Sequence, residues 1–216
     1  STAGAASLFN IDENGKITVA QGANLDYEAD SIYYVKVIVT DKTYSDTATV
    51  KITLTDVNEP PYFENKTPNF TVNENVPAGT KVGVVTAKDV DGTESLTYSI
   101  VDPTGTFVVN ASNGTITVKS SNPIDYEAKD LYVVKVIVTD KGGFKDTAEV
   151  TITVNDVNEK PDVKDAQFAV DENSSAGTTV GFVEASDPDT LNPAFGTLYY
   201  SLADSTAGAA SPFNIN

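Results

Sequence analysis

Apolar and polar residues alternate with a period of two along most of this chain. The two clearest apolar faces are Tyr33, Val35, Val37 and Val39 in one run and Ala48, Val50, Ile52 and Leu54 in the next. Strict alternation puts one face of a strand in a core and the other toward water. The pattern therefore predicts half-buried β-strands.

Two Asn-Gly pairs, Asn14-Gly15 and Asn113-Gly114, lie between short apolar runs. This dipeptide favours the tight turn of a β-hairpin because both residues tolerate positive φ. We find no helical periodicity of useful length. Roughly seven short strands per hundred residues predict an all-β fold of tandem Greek-key, seven-stranded β-sandwiches.

The chain repeats itself at an interval of about one domain. YYVKVIVTDK at 33–42 returns as YVVKVIVTDK at 132–141, and FTVNEN at 70–75 returns as FAVDEN at 168–173. These offsets are 99 and 98 residues, which is the length of an ordinary domain. We therefore expect tandem copies of one module.

The repeats divide the chain into three segments. Residues 62–161 form one complete module with its linker. Residues 1–61 hold only the back half of a module with its linker, and 162–216 hold only a front half. The fold prediction thus includes a partial module at each end.

A longer period links the two ends. STAGAASLFNI at 1–11 returns as STAGAASPFNI at 205–215, an offset of 204 residues. That offset corresponds to two modules plus an insertion around Leu191–Thr197. Since the chain also opens on Ser1, we expect a fragment of a longer protein that repeats a two-module unit.

Charge and residue usage narrow the chemistry. The chain has 31 Asp and Glu against 14 basic residues and a net charge of −17. Nucleic acids and anionic membranes need a basic face, so neither is expected as a partner and no direct membrane contact is predicted. Cys and His are absent, which excludes zinc sites of thiolate or imidazole and catalytic Ser-His or Cys-His pairs. Oxygen ligands remain, and they suit hard cations such as Ca²⁺.

The acidic residues fall at fixed places relative to the predicted strands. DYE precedes each long Val-rich strand, TD ends it, and DVNE follows the last strand of a module. In the following module VNEN or VDEN is placed in the first strand, and a DxD motif follows the second. Calcium needs six to eight oxygens, and carboxylates this dense would repel one another without a cation.

These five ordered motifs resemble those of cadherin repeats in a bacterial-type tandem array. The matching sequences are VNEN and VDEN, KDVDG and SDPDT, LDYE and IDYE, TDK twice, and DVNEPP and DVNEKP. The resemblance covers essentially the whole chain. The linkers depart from the commonest form in being one residue shorter before Pro, which affects the outermost Asn ligand.

The resemblance implies that Ca²⁺ lies between the base of one repeat and the top of the next, with about three ions for each linker. For the first linker it implies the ligands Asp26, Glu28, Asp56, Asn58, Glu59, Asp89, Asp91 and Asp140. For the second linker it implies Glu74, Asp125, Glu127, Asp156, Asn158, Glu159, Asp187 and Asp189.

Each linker lacks one ligand of the family pattern because the terminal modules are incomplete. Another copy of the chain could supply Glu172 to the first linker and Asp41 to the second. We therefore expect head-to-tail association, in which the half-modules of two copies complete each other. The alternative is that the terminal halves are partly disordered because of where the chain was divided.

The expected function is that of a calcium-binding structural or adhesive segment, extracellular or on a cell surface, in which Ca²⁺ stiffens the linkers. Near-identical repeats without Cys favour a bacterial source, and other surface proteins or polysaccharide are further expected partners. The alternative is a Ca²⁺-dependent carbohydrate-binding module with Tyr44, Tyr62, Tyr199 and Tyr200 as sugar platforms. An enzyme is not expected, because catalytic residues would occur once rather than in every repeat.

Overall fold

The computed structural model describes residues 8–92, 96–119 and 124–203, and the elements it defines there are all β-strands. The terminal copies of the STAGAAS repeat, at 1–7 and 205–211, lie outside these residues. Along the described chain the polypeptide forms three consecutive segments, which differ in how many strand partners each of them contains.

The N-terminal segment consists of two hairpins. Its strands are β1 (Phe9–Ile11), β2 (Ile17–Val19), β3 (Ile32–Thr40) and β4 (Ser45–Thr53). The predicted Asn-Gly turn joins β1 to β2, with Gly15 at φ +79°. β3 and β4 pair antiparallel along their whole length, and Phe9 packs edge-on against the Tyr33 ring.

The central segment is a complete β-sandwich. Its strands are β5 (Tyr62–Phe63), β6 (Asn69–Asn73), β7 (Lys81–Val84), β8 (Ala87–Lys88), β9 (Thr97–Val101), β10 (Phe107–Val109), β11 (Thr115–Val118), β12 (Leu131–Thr139) and β13 (Lys145–Asn155). One sheet has the order β6-β13-β12-β9, the other has β10-β11-β7, and β5 pairs with β8. β6 runs parallel to β13, whereas the other pairs are antiparallel. Counting β5 with β6 and β7 with β8 as two interrupted strands gives the seven predicted strands.

The alternating pattern produces the core between these two sheets. The inward positions of β12 and β13 are buried, with contributions from both sheets, and the cluster includes Ile116, Val134, Val136, Val138, Val150, Ile152 and Val154. Aromatic rings fill the space at the sheet ends, where Phe107 meets Tyr132 edge-on at 5.2 Å between ring centroids. The same apolar face that the sequence predicts is therefore the face that packs.

Equivalent positions of the repeat have different environments in the N-terminal and central segments. Val138 of β12 is fully buried, whereas Val39, at the same position of the repeat in β3, is 68% exposed. The cause is the number of strand neighbours: β13 has β12 and β6 as neighbours, but among the described residues β4 pairs only with β3. Without a front half to cover it, the inward face of β3 and β4 stays open to solvent.

Within residues 162–203 the C-terminal segment contains one short strand pair, β14 (Asp162–Val163) with β15 (Ala185–Ser186). Residues 167–171 and 179–182 correspond to β6 and β7 but form no strand. In the central segment β6 pairs with β13 and β7 with β11, and both partners come later in the module. A strand needs a neighbour for its backbone hydrogen bonds, so these stretches lack the partner that would order them as sheet.

One placement in the sequence analysis needs correction. The Glu of the VNEN motif was expected within the first strand, but β6 ends at Asn73 and Glu74 follows it. Asn75 then adopts a positive φ of 57°, which turns the chain away from the sheet. The corresponding Glu172 is not in a strand either. Because of this turn, the Glu74 side chain does not follow the alternating inward and outward pattern of β6.

Core packing in the central segment provides the first prediction. Ile152→Ala removes a fully buried side chain and should lower the free energy of unfolding by about 2–5 kcal/mol. The matched control is Ile38→Ala in β3, where the side chain is 68% exposed, and it should change stability by less than about 0.5 kcal/mol. Urea denaturation monitored by circular dichroism measures both. Equal effects of the two substitutions would contradict the assignment of the core.

Candidate metal centre

Four carboxylates converge at the junction between the central and C-terminal segments. Oxygens of Glu74, Glu127, Glu159 and Asp189 all lie within 4.8 Å of one another. They come from four places in the chain: the end of β6, the turn before β12, the linker after β13, and the turn after β15. The sandwich brings together residues that are separated by up to 115 positions in the sequence.

Glu74 is held by backbone groups from two other parts of the module. Its Oε2 accepts a hydrogen bond from the Tyr126 N–H at 2.9 Å, and its Oε1 accepts one from the Val157 N–H at 2.7 Å. The side chain is only 2% exposed. This carboxylate therefore fixes the DYE turn and the start of the linker against the end of β6.

Asp187 and Asp189 are also buried, at the start of the turn that follows β15. The Asp189 N–H donates to Asp187 Oδ1 at 3.0 Å, and the Glu159 N–H donates to Asp189 Oδ2 at 2.8 Å. The second of these bonds ties the linker to the C-terminal segment. The DxD motif thus binds backbone of its own turn and of the preceding linker.

Four carboxylate oxygens around this junction are buried without a hydrogen-bond donor: Glu127 Oε1, Asp156 Oδ1, Glu159 Oε2 and Asp189 Oδ1. Leaving a buried carboxylate oxygen unsatisfied is unfavourable, and a bound cation would satisfy all four of these oxygens. Calcium binds carboxylate oxygens at about 2.3–2.6 Å, so two of its ligands can lie up to about 5 Å apart. The donor set and its spacing fit Ca²⁺.

Burial and mutual repulsion raise the pKa values of two of these glutamates. Burial raises the pKa of Glu127, and the nearby charges of Glu74, Glu159 and Asp156 raise it further. A hydrogen bond from Asn75 lowers the pKa of Glu159, but burial together with the charges of Glu74, Asp189 and Asp125 outweighs it, so that the pKa is raised. Both shifts show that an additional positive charge would be favourable here.

The first linker has a smaller version of the same arrangement. Oxygens of Glu28, Glu59 and Asp91, the repeat equivalents of Glu127, Glu159 and Asp189, lie within 4.8 Å of one another but are exposed. The Glu59 N–H donates to Asp91 Oδ2 at 2.7 Å, as its counterpart does in the second linker. Loss of hydration, followed by the charges of Glu28 and Asp91, raises the pKa of Glu59.

Asn58 and Asp140 connect the first linker to the top of the central module. Asn58 Nδ2 donates to Asp140 Oδ2 at 2.7 Å, and the Phe144 N–H donates to Asp140 Oδ1 at the same distance. The hydrogen bond from Asn58 is the main reason why the pKa of Asp140 is lowered. Asp140 lies in the turn between β12 and β13, so this turn faces the linker as the resemblance implies.

The remaining predicted ligands lie beside these clusters. Asp26 and Asp125 each cap their DYE turn by accepting a backbone N–H, and Asp89 accepts the N–H of Asp91. The negative charge of Asp56 contributes to the raised pKa of Glu59. Asn158 Nδ2 makes a weak bond to the Glu159 carbonyl at 3.3 Å. Their role as ligands stays a prediction.

Glu172 and Asp41 belong to neither cluster. Asp41 Oδ1 accepts the N–H groups of Thr43 and Tyr44 in the β3–β4 turn, and these bonds lower its pKa. Glu172 is exposed in the C-terminal segment. That both residues serve a second copy of the chain stays a prediction.

Two asparagines at the second linker bind its carboxylates although neither is among the predicted ligands. Asn75 Nδ2 donates to Glu159 Oε1 at 2.6 Å, and Asn192 Nδ2 donates to Asp156 Oδ2 at 2.9 Å. A signal existed for each, because Asn75 ends the VNEN motif and Asn192 lies in the insertion that only the C-terminal segment carries. Both orient linker carboxylates from neighbouring loops.

The fold and these acidic junctions define a class of protein, the tandem β-sandwich repeat with acidic linkers. Residues 68–155 match the family model of the cadherin domain. The repeats of this chain are therefore of the cadherin type, as the sequence motifs indicated. Cadherin domains in general bind Ca²⁺, and they are extracellular, adhesion-related structural domains rather than enzymes.

Relatives match well beyond that domain. Cadherin-20 of Mus musculus is 34% identical over 209 residues, covering 85% of this chain and 26% of its own length. Cadherin-9 of Mus musculus is 38% identical over 168 residues, covering 68% of this chain and 21% of its own length. The chain thus spans about a quarter of these relatives. They are mammalian and do not support a bacterial source.

Solved structures of cadherin repeats also match the fold of this chain. Mouse cadherin-23 EC22-24 superposes with a TM-score of 0.64 at 28% identity, covering 84% of this chain and 62% of that one. Mouse protocadherin-24 EC1-3 gives a TM-score of 0.67 at 26% identity, covering 87% and 65%. Both confirm the predicted cadherin-type β-sandwich. Within the described residues, no helix is long and apolar enough to cross a membrane.

The geometry of Glu74 provides a prediction about metal binding. Glu74→Gln keeps the size of the side chain but removes one negative charge, so Ca²⁺ affinity at the second linker should fall at least about tenfold. Isothermal calorimetry measures the affinity. Glu149→Gln, the same change at an exposed position of β13, is the control and should leave the affinity unchanged. An unaltered affinity of the Glu74 variant would remove this residue from the site.

The raised pKa values predict the pH dependence of the metal-free chain. A folded-state pKa above the unfolded value means that the folded state binds more protons, so this contribution to stability is lost as pH rises. Between the ordinary glutamate pKa of 4.5 and neutrality, the free energy of unfolding in EGTA should therefore decrease with increasing pH. The pKa values of Asp102, Asp140 and Asp146 are lowered. Their contributions to the free energy of unfolding therefore change with pH only below the ordinary aspartate value of 3.8, outside this window.

Urea denaturation across this pH range measures the effect. Glu127→Gln, which cannot ionise, should flatten the dependence. Stability that instead increased from pH 4.5 to neutrality in EGTA would show that repulsion at the linkers does not govern the metal-free state.

Proposed function

We propose that this chain is a calcium-binding structural and adhesive segment of an extracellular or cell-surface protein, in which Ca²⁺ stiffens the linkers between repeats. The observation that carries the proposal is the set of four buried carboxylate oxygens without donors at the second linker. They belong to the central module, the linker and the C-terminal segment, so one bound ion would be shared by all three.

The mechanism follows from this sharing. Bound Ca²⁺ supplies the positive charge that the converging oxygens lack. Glu74 and Glu127 are fixed to the central sandwich, Glu159 lies on the linker, and Asp189 lies on the following segment. When these groups hold a common ion, the linker cannot bend without breaking ligand bonds. Without it, carboxylate repulsion favours separation, so binding energy appears as stiffness and as stability.

We also propose the domain boundaries implied by the repeats: a complete module at 62–161, a back half at 1–61 and a front half at 162–216. Supporting this division, the continuous core runs from Phe63 to Val154. The halves are proposed to associate head to tail between copies of the chain, which the open face around Val39 supports.

Carbohydrate binding is the runner-up. Tyr44 and Tyr199 are strongly exposed, as stacking on a sugar requires. Tyr200, however, corresponds in the repeat to Tyr98, which is buried in the central core. Its exposure therefore belongs to the incomplete module rather than to a sugar platform, and the structural role is favoured.

Stiffening can be measured directly, because the chain has no cysteine and accepts spin labels at chosen sites. Labels at Glu149→Cys and Thr178→Cys, both exposed, span the second linker. Their distance distribution, measured by pulsed electron resonance, should narrow in Ca²⁺ and broaden in EGTA.

The control pair, Lys81→Cys with Glu149→Cys, lies within the central sandwich and should be insensitive to Ca²⁺. If the linker-spanning distribution stays the same with and without Ca²⁺ while calorimetry shows that the ion binds, the stiffening mechanism is wrong.

A further inference from the structure

Two asparagine side chains hold the second linker from the two segments that it joins. Asn75, at the end of the VNEN motif in the central segment, donates from Nδ2 to Glu159 Oε1 at 2.6 Å. Asn192, in the C-terminal segment, donates from Nδ2 to Asp156 Oδ2 at 2.9 Å. The other oxygen of each carboxylate, Glu159 Oε2 and Asp156 Oδ1, is buried without a donor. Each amide thus occupies one oxygen of a linker carboxylate and leaves the second oxygen for another partner.

Asn192 belongs to a loop that is longer in the C-terminal segment than in the central one. Asp187 precedes Tyr200 by 13 residues, whereas its equivalent Asp89 precedes Tyr98 by 9. The additional residues form the insertion loop, 190–197, which starts directly after the DxD motif. The shorter loop of the central module, 92–97, contains no asparagine. The donor to Asp156 is therefore a feature of the insertion and not of the repeated motifs.

Hydrogen bonds fix every polar group of Asn192. Its N–H donates to the Asp189 carbonyl at 2.8 Å, and its own carbonyl accepts the Gly196 N–H at 2.8 Å. Its Oδ1 accepts the Ala194 N–H at 3.0 Å, so Nδ2 is the end of the amide that faces Asp156. Gly196 lies so close to the Asp189 carbonyl that a Cβ would clash. The loop therefore folds back on the DxD turn and presents the amide in one orientation.

The insertion loop also forms a wall of the site. A cavity of about 400 Å³ lies between this loop and the DYE turn of the central module. Glu127 and Asp156 line it from the central segment and its linker, and Leu191, Asn192 and Pro193 line it from the C-terminal segment. The hydrogen bond from Asn192 thus crosses the junction and connects the two segments without a metal ion.

The donors to these carboxylates are uncharged, which suits an ion site. An asparagine amide satisfies a carboxylate oxygen without neutralising it, whereas a lysine would cancel the charge that attracts a cation. The two ion pairs found among the described residues involve none of the clustered carboxylates. Lys129 also lines the cavity, but its Nζ lies 4.5 Å from the centroid of the Tyr132 ring. The negative charge around Asp156 is therefore retained.

We infer that Asn192 is a positioning residue of the second calcium site, which holds Asp156 with Oδ1 turned toward the ion and ties the C-terminal segment to the linker before the ion binds. The inference rests on the proposed calcium function and identifies a residue on which that site depends. Groups that orient a metal ligand raise affinity, because a ligand already in place loses less conformational freedom on binding. The insertion loop thus adds a determinant of affinity that the five repeated motifs do not contain.

Isothermal calorimetry with Ca²⁺ tests the effect on affinity. Asn192→Ala removes the donor and should weaken binding at the second linker about 10–100-fold. Asn155→Ala is the matched control, because this amide lies one residue from Asp156 but donates to Asn73 Oδ1. The control should bind Ca²⁺ as the parent chain does. An affinity of Asn192→Ala equal to that of the parent chain overturns the inference.

Asn192→Asp separates positioning from charge. Aspartate has nearly the same size, but it accepts hydrogen bonds where the asparagine amide donates, and it adds a negative charge. If the site responded to charge alone, this substitution would strengthen Ca²⁺ binding. Because the donor to Asp156 is lost and two carboxylates then face each other, we expect binding to be at least about tenfold weaker. Stronger binding by this variant rejects the positioning role.

Terbium luminescence gives a readout that a merely structural role would not change. Tb³⁺ replaces Ca²⁺ in a background with Glu28→Gln and Glu59→Gln, which removes two carboxylates of the first cluster. Decay times in H₂O and D₂O count the water molecules on the bound ion. If Asp156 turns away in Asn192→Ala, water replaces its oxygen and the count should rise by about one. Weaker binding with an unchanged count shows that Asn192 acts through the fold alone and rejects the inference.

The metal-free chain tests the connection between the segments. With spin labels at Glu149→Cys and Thr178→Cys in EGTA, Asn192→Ala should give a broader distance distribution than the parent chain, because one bond across the junction is lost. Asn155→Ala with the same labels should give the distribution of the parent. Equal widths for all three chains in EGTA reject the metal-independent connection.

Failure of the inference can be distinguished from failure of the proposed function. A parent chain that binds no Ca²⁺ at the second linker rejects the proposed function and, with it, the inference. A parent chain that binds Ca²⁺ and stiffens, together with an Asn192→Ala variant that does both equally well, rejects the inference and leaves the proposed function standing.

Discussion

Burying carboxylate oxygens beside one another is unfavourable unless something positive joins them, and this constraint organises the junctions of the chain. The second linker brings four carboxylates within 4.8 Å and leaves four oxygens around it without donors. The fold tolerates this because three of these carboxylates accept a hydrogen bond on their other oxygen: Asp189 from the Glu159 N–H, Asp156 from Asn192 and Glu159 from Asn75. The fold thus holds these carboxylates in place by itself, and in the proposed function a bound ion would contribute the positive charge that the fold does not provide.

The two linkers differ in how far their carboxylates are buried and in how many of them converge. Glu59 and Glu159 occupy the same motif and donate the same backbone bond to the following DxD turn. Yet the first cluster is exposed and has three members, whereas the second is partly buried and has four. The insertion adds to the difference: Gly196 packs against the Asp189 carbonyl so closely that a Cβ would clash, and Asn192 binds Asp156. We infer that near-identical motifs here form sites of unequal completeness.

Much of this could be predicted from the sequence because it is local. Alternation identified the inward face of β12, and the Asn-Gly pairs identified two hairpin turns. The repeated motifs brought Glu28, Glu59 and Asp91 together as a set. What could not be predicted depends on distant partners: the exposure of Val39, the lack of strand at 168–170, and the bonds from Asn75 and Asn192. A local pattern specifies which face of a strand would pack, but not whether other strands are present to cover that face.

That distinction explains why the same strand pattern is buried in the central module and exposed in the terminal segments. In a repeat protein the stability of each unit comes from its own core and from its contacts with its neighbours. The central module satisfies both conditions, because β13 has strands on each side and the ligands of the second linker come from both segments that it joins. Each described terminal segment holds one half of the repeat, so its apolar positions lack the cover that the complementary half gives the central module. The same alternating pattern therefore ends in a packed core where both halves are together and in exposed side chains where they are not.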